Sequence, residues 1–333
     1  EVEQLVAGEI GAIAKVDEIV FDSVLHDSHD EDHIHLAPLR LPRPMVGLAV
    51  ETLKKGDEQR LFDVLGKLAQ EDPTFLVERH PATHETVIRG LGDGHLASKL
   101  ERMAQQYKLE VSTRPPAIPY RETIAASAEA MHRHKKQSGG HGQFGDVWIK
   151  FEPCDSDDLV FETAVVGGAV PKNYFPAVEK GMQEGVLSGP LAAYPVVGVK
   201  ATLYDGSYHP VDSSEMAFKT AAIQAFKKGV MEAGPVLLEP IMSLKVTVPD
   251  AYTGDIMGDL NKRRGRVLGM TPMSGGKQII EADIPMSGLF GYCTDLRSMT
   301  GGQGTFTMEF ALYEECPGNV TEQVIAESKK DED

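Results

Sequence analysis

Cysteine is scarce in this sequence: Cys154, Cys293 and Cys316 stand far apart and share no metal-ligand spacing. A disulfide framework or a cysteine-based zinc site is therefore not expected, and a reducing, cytoplasmic setting is. Long apolar runs are missing too. No stretch of eighteen apolar residues occurs, and Glu1-Val2-Glu3-Gln4 carries no basic leader, so neither a membrane span nor a signal peptide is readable. Because the first residue is Glu rather than Met, an excised piece of a longer protein is expected. No Gly-x-x-x-x-Gly-Lys-[Ser/Thr] occurs, so GTP binding or hydrolysis by these residues is not expected.

Positive charge is also in deficit, with 33 Lys and Arg against 50 Asp and Glu and a formal net charge of −17 over 333 residues. A diffuse acidic field repels phosphate until a basic patch comes within a Debye length, so any contact with a nucleic acid must be local. Two patches qualify. One holds Arg133, Lys135, Lys136 and Lys150 against Asp146, and the other is Lys262-Arg263-Arg264-x-Arg266. The acid lies elsewhere: seven carboxylates and no Lys or Arg in residues 17–32, and seven carboxylates against two lysines after Tyr313. These read as a solvated linker and terminus. His26, His29, His33 and His35 lie among Asp27, Asp30, Glu31 and Asp32, a set that could ligate a metal. Lacking cysteine, flanking structure and a fixed i,i+4 pair, they read instead as an acidic linker, and no metal is expected.

What is present centres on Gln137-Ser138-Gly139-Gly140-His141-Gly142-Gln143-Phe144-Gly145, which follows His132-Arg133-His134-Lys135-Lys136. Four glycines in seven residues leave backbone N–H groups able to approach another backbone closely. With three cations and two histidines just before it, the loop favours a polyanion, RNA or a nucleotide phosphate. Gly140-x-Gly142-x-x-Gly145 fits the dinucleotide-binding pattern, but Val147, Ile149 and Phe151 then alternate as a strand. No helix N-terminus follows to hold a pyrophosphate, which argues against that reading. A solvated glycine hairpin without a partner is the plain alternative.

Around this loop the chain repeats a plan. Residues 6–16 read as a turn into a short strand. Strand 45–52, helix 57–70, strands 74–78 and 86–90, helix 96–107 and strand 110–112 follow, the β-α-β-β-α-β order of the split βαβ fold. A second copy starts at Leu238-Glu239-Pro240-Ile241-Met242, with strand 242–248, helix 253–262, strands 267–271 and 277–283, helix 289–299 and strand 305–313. Between the copies come strands 147–151, 159–166 and 196–204, helix 173–184, and a long helix to about Glu232 with Ser213 as its expected N-cap.

The stretches Gln137-Ser138-Gly139-Gly140, Gly142-Gln143-Phe144-Gly145, Gly206-Ser207-Tyr208-His209, Val211-Asp212-Ser213-Ser214-Glu215, Pro235 to Met242, Phe290-Gly291-Tyr292 and Thr307-Met308-Glu309-Phe310 carry a resemblance. The chain resembles the C-terminal two-thirds of bacterial elongation factor G, over roughly residues 40–315. The resemblance implies an α+β multidomain chain in which two ferredoxin-like domains flank an elongated, ribosomal-protein-like α/β domain. The expected bounds are 1–40 for the end of domain II with an acidic linker, 41–115 for domain III, 116–238 for domain IV, 239–315 for domain V and 316–333 for an acidic tail. It further implies that Gln137, Ser138, Gly139, Gly140, His141, Gly142, Ser207, Tyr208 and His209 form a tip that enters the small-subunit decoding region beside tRNA and mRNA. Lys135, Lys136, Arg263, Arg264 and Arg266 would meet phosphate, and Arg297, Ser298 and Thr300 large-subunit RNA; helix-end solvation is the plain alternative for the arginine cluster. GTP and Mg would belong to a GTPase domain upstream. A monomer is expected.

His141 and Phe144 stand where typical members carry Arg and Tyr, and Gly92-Asp93-Gly94-His95-Leu96-Ala97 replaces Gly-Glu-Leu-His-Leu-Glu. These departures point to an elongation-factor-G-like paralogue. Three functions stay open: translocation, ribosome recycling or protection on the same scaffold, and a nucleotide-dependent enzyme using Gly140 to Gly145 with Asp212 or Glu215. The last is weakened by geometry, because both carboxylates flank an expected helix start, where they stabilise its dipole without catalysis.

Overall fold

The structure is a computed structural model and describes residues 2–16, 18–26, 28–81, 83–137 and 142–331. In chain order come β1 (Val46–Thr52), α1 (Glu58–Glu71), β2 (Leu76–His80), β3 (Glu85–Gly90), α2 (Asp93–Tyr107) and β4 (Val111–Arg114). Next are β5 (Arg121–Ile124), β6 (Ala128–Lys136), β7 (Gln143–Pro153), β8 (Val160–Thr163), α3 (Phe175–Gly185), β9 (Val199–Ser207) and α4 (Glu215–Glu232). The chain closes with β10 (Pro235–Pro249), α5 (Thr253–Lys262), β11 (Arg266–Met273), β12 (Lys277–Pro285), α6 (Tyr292–Met299), β13 (Thr305–Glu315) and α7 (Gly318–Asp331). It divides into two compact units, residues 1–117 with 290–307 and residues 118–289 with 308–333.

The first unit is built on an antiparallel sheet of order β2-β3-β1-β4. Helix α1 forms because Leu61, Val64, Leu65 and Leu68 recur at three- and four-residue spacing, and all four are buried. They meet Phe75, Ile88, Leu96 and Met103 in one core, the split βαβ arrangement expected from the sequence. Helix α6 belongs to this unit. Arg297 donates to the Leu91 carbonyl at 2.7 Å, and the Thr294 hydroxyl bonds the Asp93 carboxylate at the start of α2.

Upstream of β1 the sequence predicts a short strand in residues 6–16, and none forms there among the described residues. Val6, Ile10 and Ile13 are exposed, so no sheet partner compensates the chain entropy of an extended segment.

The second unit holds two sheets. One has order β6-β7-β9-β8, with α3 and α4 packed on the face that carries Val147, Ile149 and Phe151. Helix α4 comes so close that a Cβ on Gly229 would stand 2.2 Å from the Phe151 ring. The other sheet runs β11-β12-β10-β13, with β5 added to the first part of β10. Strand β10 begins at Pro235, seven residues before the expected Met242, because Pro235 to Leu238 pair with β5.

The acidic tail is not a solvated terminus. Cys316, two residues before α7, and Val324, within it, are buried with Tyr120, Ala192 and Leu237. Burial pushes the Cys316 thiol up to about 12, so it stays a thiol and behaves as a small apolar group. Nearby, Glu122 is fully buried and accepts from the Leu191, Ala192 and Tyr194 amides at 2.8–3.2 Å. Three amide donors replace the water this carboxylate loses, pinning the 191–194 loop to β5.

Candidate nucleic-acid interface

Strands β6 and β7 form a hairpin in continuous register from Ala128↔Phe151 to Lys136↔Gln143. The glycine loop therefore joins two strands, and no helix follows it. Ser138, Gly139, Gly140 and His141 lie outside the described residues. The two glycines after them have separate packing causes. A Cβ on Gly142 would lie 2.8 Å from the Asp212 carboxyl carbon, and one on Gly145 would lie 2.8 Å from the Ala217 backbone. The dinucleotide-like spacing thus reflects one glycine for a loop and one for the approach of α4.

The β9–α4 loop is locked to the hairpin. Gly142 donates to Asp212 Oδ1 at 3.1 Å, Phe144 donates to the Asp212 carbonyl at 2.8 Å, and Phe144 bridges Ser213 in parallel fashion. Within the loop, His209 N donates to Ser213 Oγ at 2.8 Å. Ser213 is thus a loop brace, and the N-cap is Ser214, whose hydroxyl accepts from Ala217 N. A cap needs extended backbone with helical residues directly after it, and Ser214 has both.

His209 Nδ1 accepts from the Val211 and Asp212 amides at 3.3 and 3.1 Å. It also lies 3.3 Å from Asp212 Oδ2. The amide contacts decide the tautomer: Nδ1 is an acceptor and the neutral ring keeps its proton on Nε2, free to donate. The contact with Asp212 becomes an ion pair only when the ring takes a second proton. Tyr208 and His209 are exposed, Ser207 is half-buried, and Gln137, Lys135 and Lys136 are exposed without an ion-pair partner among the described residues.

Below the loops, Asp146 is 1% exposed. Its Oδ2 accepts from Arg133 Nη2 at 2.9 Å and from Ser207 Oγ at 2.7 Å. Ser207, a tip residue by sequence, therefore anchors the last rung of β9.

The remaining cations are committed within the fold. Arg263 bonds Asp259 at 2.7 Å and the Gly288 carbonyl at 2.9 Å. Arg264 grips buried Glu239 with both nitrogens at 2.8 and 2.6 Å, and Arg266 reaches Asp283 and Glu314 at 3.1 and 3.3 Å. Only Arg266 keeps most of its side chain exposed, at 60%. Ser298 bonds back to the Thr294 carbonyl on its own helix. Thr300 is fully buried, bonding the Leu296 carbonyl and Gly304 N at the end of α6. This corrects its assignment to RNA: a helix-end brace has no surface to offer.

Three consecutive family descriptions match the chain: "Elongation Factor G, domain III" over residues 41–115, "Elongation factor G, domain IV" over 116–234 and "Elongation factor G C-terminus" over 236–324. The chain belongs to the elongation factor G family. Among solved structures, it is similar to a crystal structure of a protein from Thermus thermophilus, at 42% identity and a TM-score of 0.76. That match covers 92% of this chain and 46% of the other, so the chain spans about half the length of the protein it matches. In elongation factor G terms, the paired loops and their sheet fall within the domain IV match, and the arginine cluster within the C-terminal match. No described helix is long and apolar enough to cross a membrane.

Sequence reasoning missed the parts that hold the loops together. Asp212 reads as a helix-dipole carboxylate, yet its main role is to accept from Gly142. Its lone signal was a charged residue among small ones three positions before a helix. Asp146 appears in the sequence only as an acid diluting a basic patch. Strand β6 was also missed, because its cations and histidines masked the alternation of Ala128, Ala130 and His132.

Proposed function

We propose that this chain is the ribosome-engaging arm of a translational GTPase-like factor, and that its paired loops are the tip that enters the small-subunit decoding region during tRNA–mRNA translocation. One observation carries the reading: two loops 70 residues apart are fastened by Gly142 N to Asp212, at the end of a sheet beside two exposed lysines that have no ion-pair partner among the described residues. Small polar groups and bare backbone can read the shape, 2′-hydroxyls and phosphates of an RNA helix without choosing a base, as a factor serving every codon requires. His209, with Nδ1 turned to the loop amides and Nε2–H as its donor, offers one hydrogen bond worth about 1 kcal/mol.

Lys135 and Lys136 steer the tip by phosphate attraction. Arg266, Arg297 and Ser298 are secondary contacts to large-subunit RNA, since each already has a partner inside the fold. The complete protein acts as a monomer in the cytoplasm and takes GTP and Mg in a separate domain. Asp212, committed to loop closure, does not serve as an acid or base for a nucleotide substrate.

The test is single-turnover translocation on purified pre-translocation ribosomes, using the full-length protein with GTP. Wild type is compared with His209→Ala and with a Gly139→Ala/Gly140→Ala pair. Slowing by tenfold or more in the variants, about 1.4 kcal/mol of transition-state contact, supports the reading. Should wild type bind ribosomes and hydrolyse GTP while tRNA stays in place, translocation is wrong and recycling or protection replaces it.

A further inference from the structure

The sheet that carries the tip has a second face. Helices α3 and α4 cover the side bearing Val147, Ile149 and Phe151, and the alternate residues of β6, β7 and β9 point the other way. On that open side the register places Glu129↔Lys150, Met131↔Trp148, Arg133↔Asp146 and Lys135↔Phe144. Trp148 is the only tryptophan of the chain and is 37% exposed, unusual for the largest apolar side chain on a strand.

A β-bulge organises its surroundings. Trp148 pairs with Asp205 and Ile149 with Leu203, which leaves Tyr204 as the extra residue of β9. The bulge turns both Tyr204 and Asp205 to the open side, sends Gly206 inward against Val170, and brings Ser207 out onto Asp146. Tyr204 meets Trp148 edge-on, with centroids 6.4 Å apart and planes at 75°. Its hydroxyl donates to Glu129 at 3.1 Å, which fixes the ring. An edge-on neighbour steadies the indole and leaves its broad surface uncovered.

Charge on this face is graded towards the tip. Away from it, Lys150 is tied to Glu152 and Lys200 to Glu162. Nearer the loops, Arg133 neutralises buried Asp146 yet keeps 54% of its side chain exposed, and Lys135 is free of ion pairs among the described residues. Two exposed carboxylates lie near the indole among the described residues: Glu129, which accepts from the Tyr204 hydroxyl, and Asp205, whose Oδ1 accepts from Gly206 N. An aromatic platform next to cations spaced about 7 Å along a strand is the pattern that takes unpaired bases and their phosphates.

We propose that the open face of the β6-β7-β9 sheet binds a short single-stranded RNA segment, with a base stacked on Trp148 and its flanking phosphates on Arg133 and Lys135. The choice of RNA as ligand rests on the ribosomal reading above. The face continues from the tip loops along β6 and β7, so strand RNA leaving the tip meets it without a break.

The sole tryptophan makes the test direct. The chain is titrated with single-stranded hexa-adenylate while Trp148 fluorescence is followed, and binding by variants is read from the anisotropy of a labelled hexamer. A saturable quench is expected, weakening about sevenfold between 50 and 200 mM salt if two phosphates are engaged. Trp148→Ala should lose tenfold or more in affinity and Trp148→Phe less than threefold, with melting temperatures confirming that both are folded. Lys135→Ala should lower the salt slope by about 0.7. Absence of a saturable quench overturns the proposal, as does unchanged hexamer binding by folded Trp148→Ala. Equal competition by inorganic polyphosphate, or a quench by ribosomal proteins and none by RNA, also overturns it. This titration involves no ribosome, so its failure leaves the tip reading standing, and a failed translocation assay leaves the titration to decide the face.

Discussion

Asp146 sets the stakes at the scale of single residues. Its carboxylate is buried, Oδ2 collects Arg133 and Ser207, and Oδ1 has no hydrogen-bond partner among the described residues. A buried charge held from one side depends on its remaining donors. Arg133→Met should therefore cost about 2 kcal/mol and Ser207→Ala about 1 kcal/mol, with the Arg133 figure kept low because half of that side chain is in water. Equilibrium urea unfolding at pH 7 measures both, and a double mutant costing less than their sum would show that the two donors share one task. Gly142→Ala is the loop counterpart: a methyl group against Asp212 should open the loop clasp and lower stability by about 1 kcal/mol. Loss of the clasp without loss of the core would appear as faster amide exchange at Gly142 and Phe144 alone.

Elements were legible where one periodicity ruled. Helix α1 announced itself through four apolar residues at helical spacing, and the β-α-β-β-α-β order followed. Strand β6 and helix α7 were not, because cations hid the alternation in one and acids suggested solvation in the other, although Cys316 and Val324 anchor the tail. The α1–β2 turn shows a further device that spacing cannot reveal. Burial alone would raise the Asp72 pKa, but bonds from Lys99 at 2.8 Å, from Thr74 and from His95 at 2.9 Å hold it well below the usual carboxylate range. A depressed folded pKa stabilises the fold above the unfolded value of about 3.9, and that contribution fades as pH falls through the folded value. Lys99→Met should cost about 1.5 kcal/mol at pH 7, and the gap from the parent should narrow below pH 4. Urea midpoints at pH 7 and 3.5 decide it; a gap that stays constant would mean that Lys99 acts through its packing over Phe75 instead.

At the scale of the whole molecule, the two units have separate cores, one around Leu65, Ile88 and Met103 and the other around Phe151, Phe218 and Phe226. Each is large enough to unfold cooperatively by itself. The net charge of −17 adds self-repulsion that a compact acidic chain meets at low salt, and it weighs on both units. Trp148 lies in the second unit and is the sole tryptophan, so its fluorescence follows that unit alone, whereas far-UV circular dichroism follows helices of both. Denaturant unfolding should therefore give fluorescence and dichroism transitions that do not coincide, with the dichroism curve fitted by two steps. Removing residues 317–333 should move the fluorescence midpoint to lower denaturant and lower the stability read from that transition by about 2 kcal/mol or more, because Cys316, Leu237 and Tyr120 lose the helix that covers them, and should expose the Cys316 thiol to alkylation. The step that fluorescence does not report should stay where it is in the truncated chain. If both probes instead trace one shared transition that moves as a whole on truncation, the two cores are not independent and the units fold as one body.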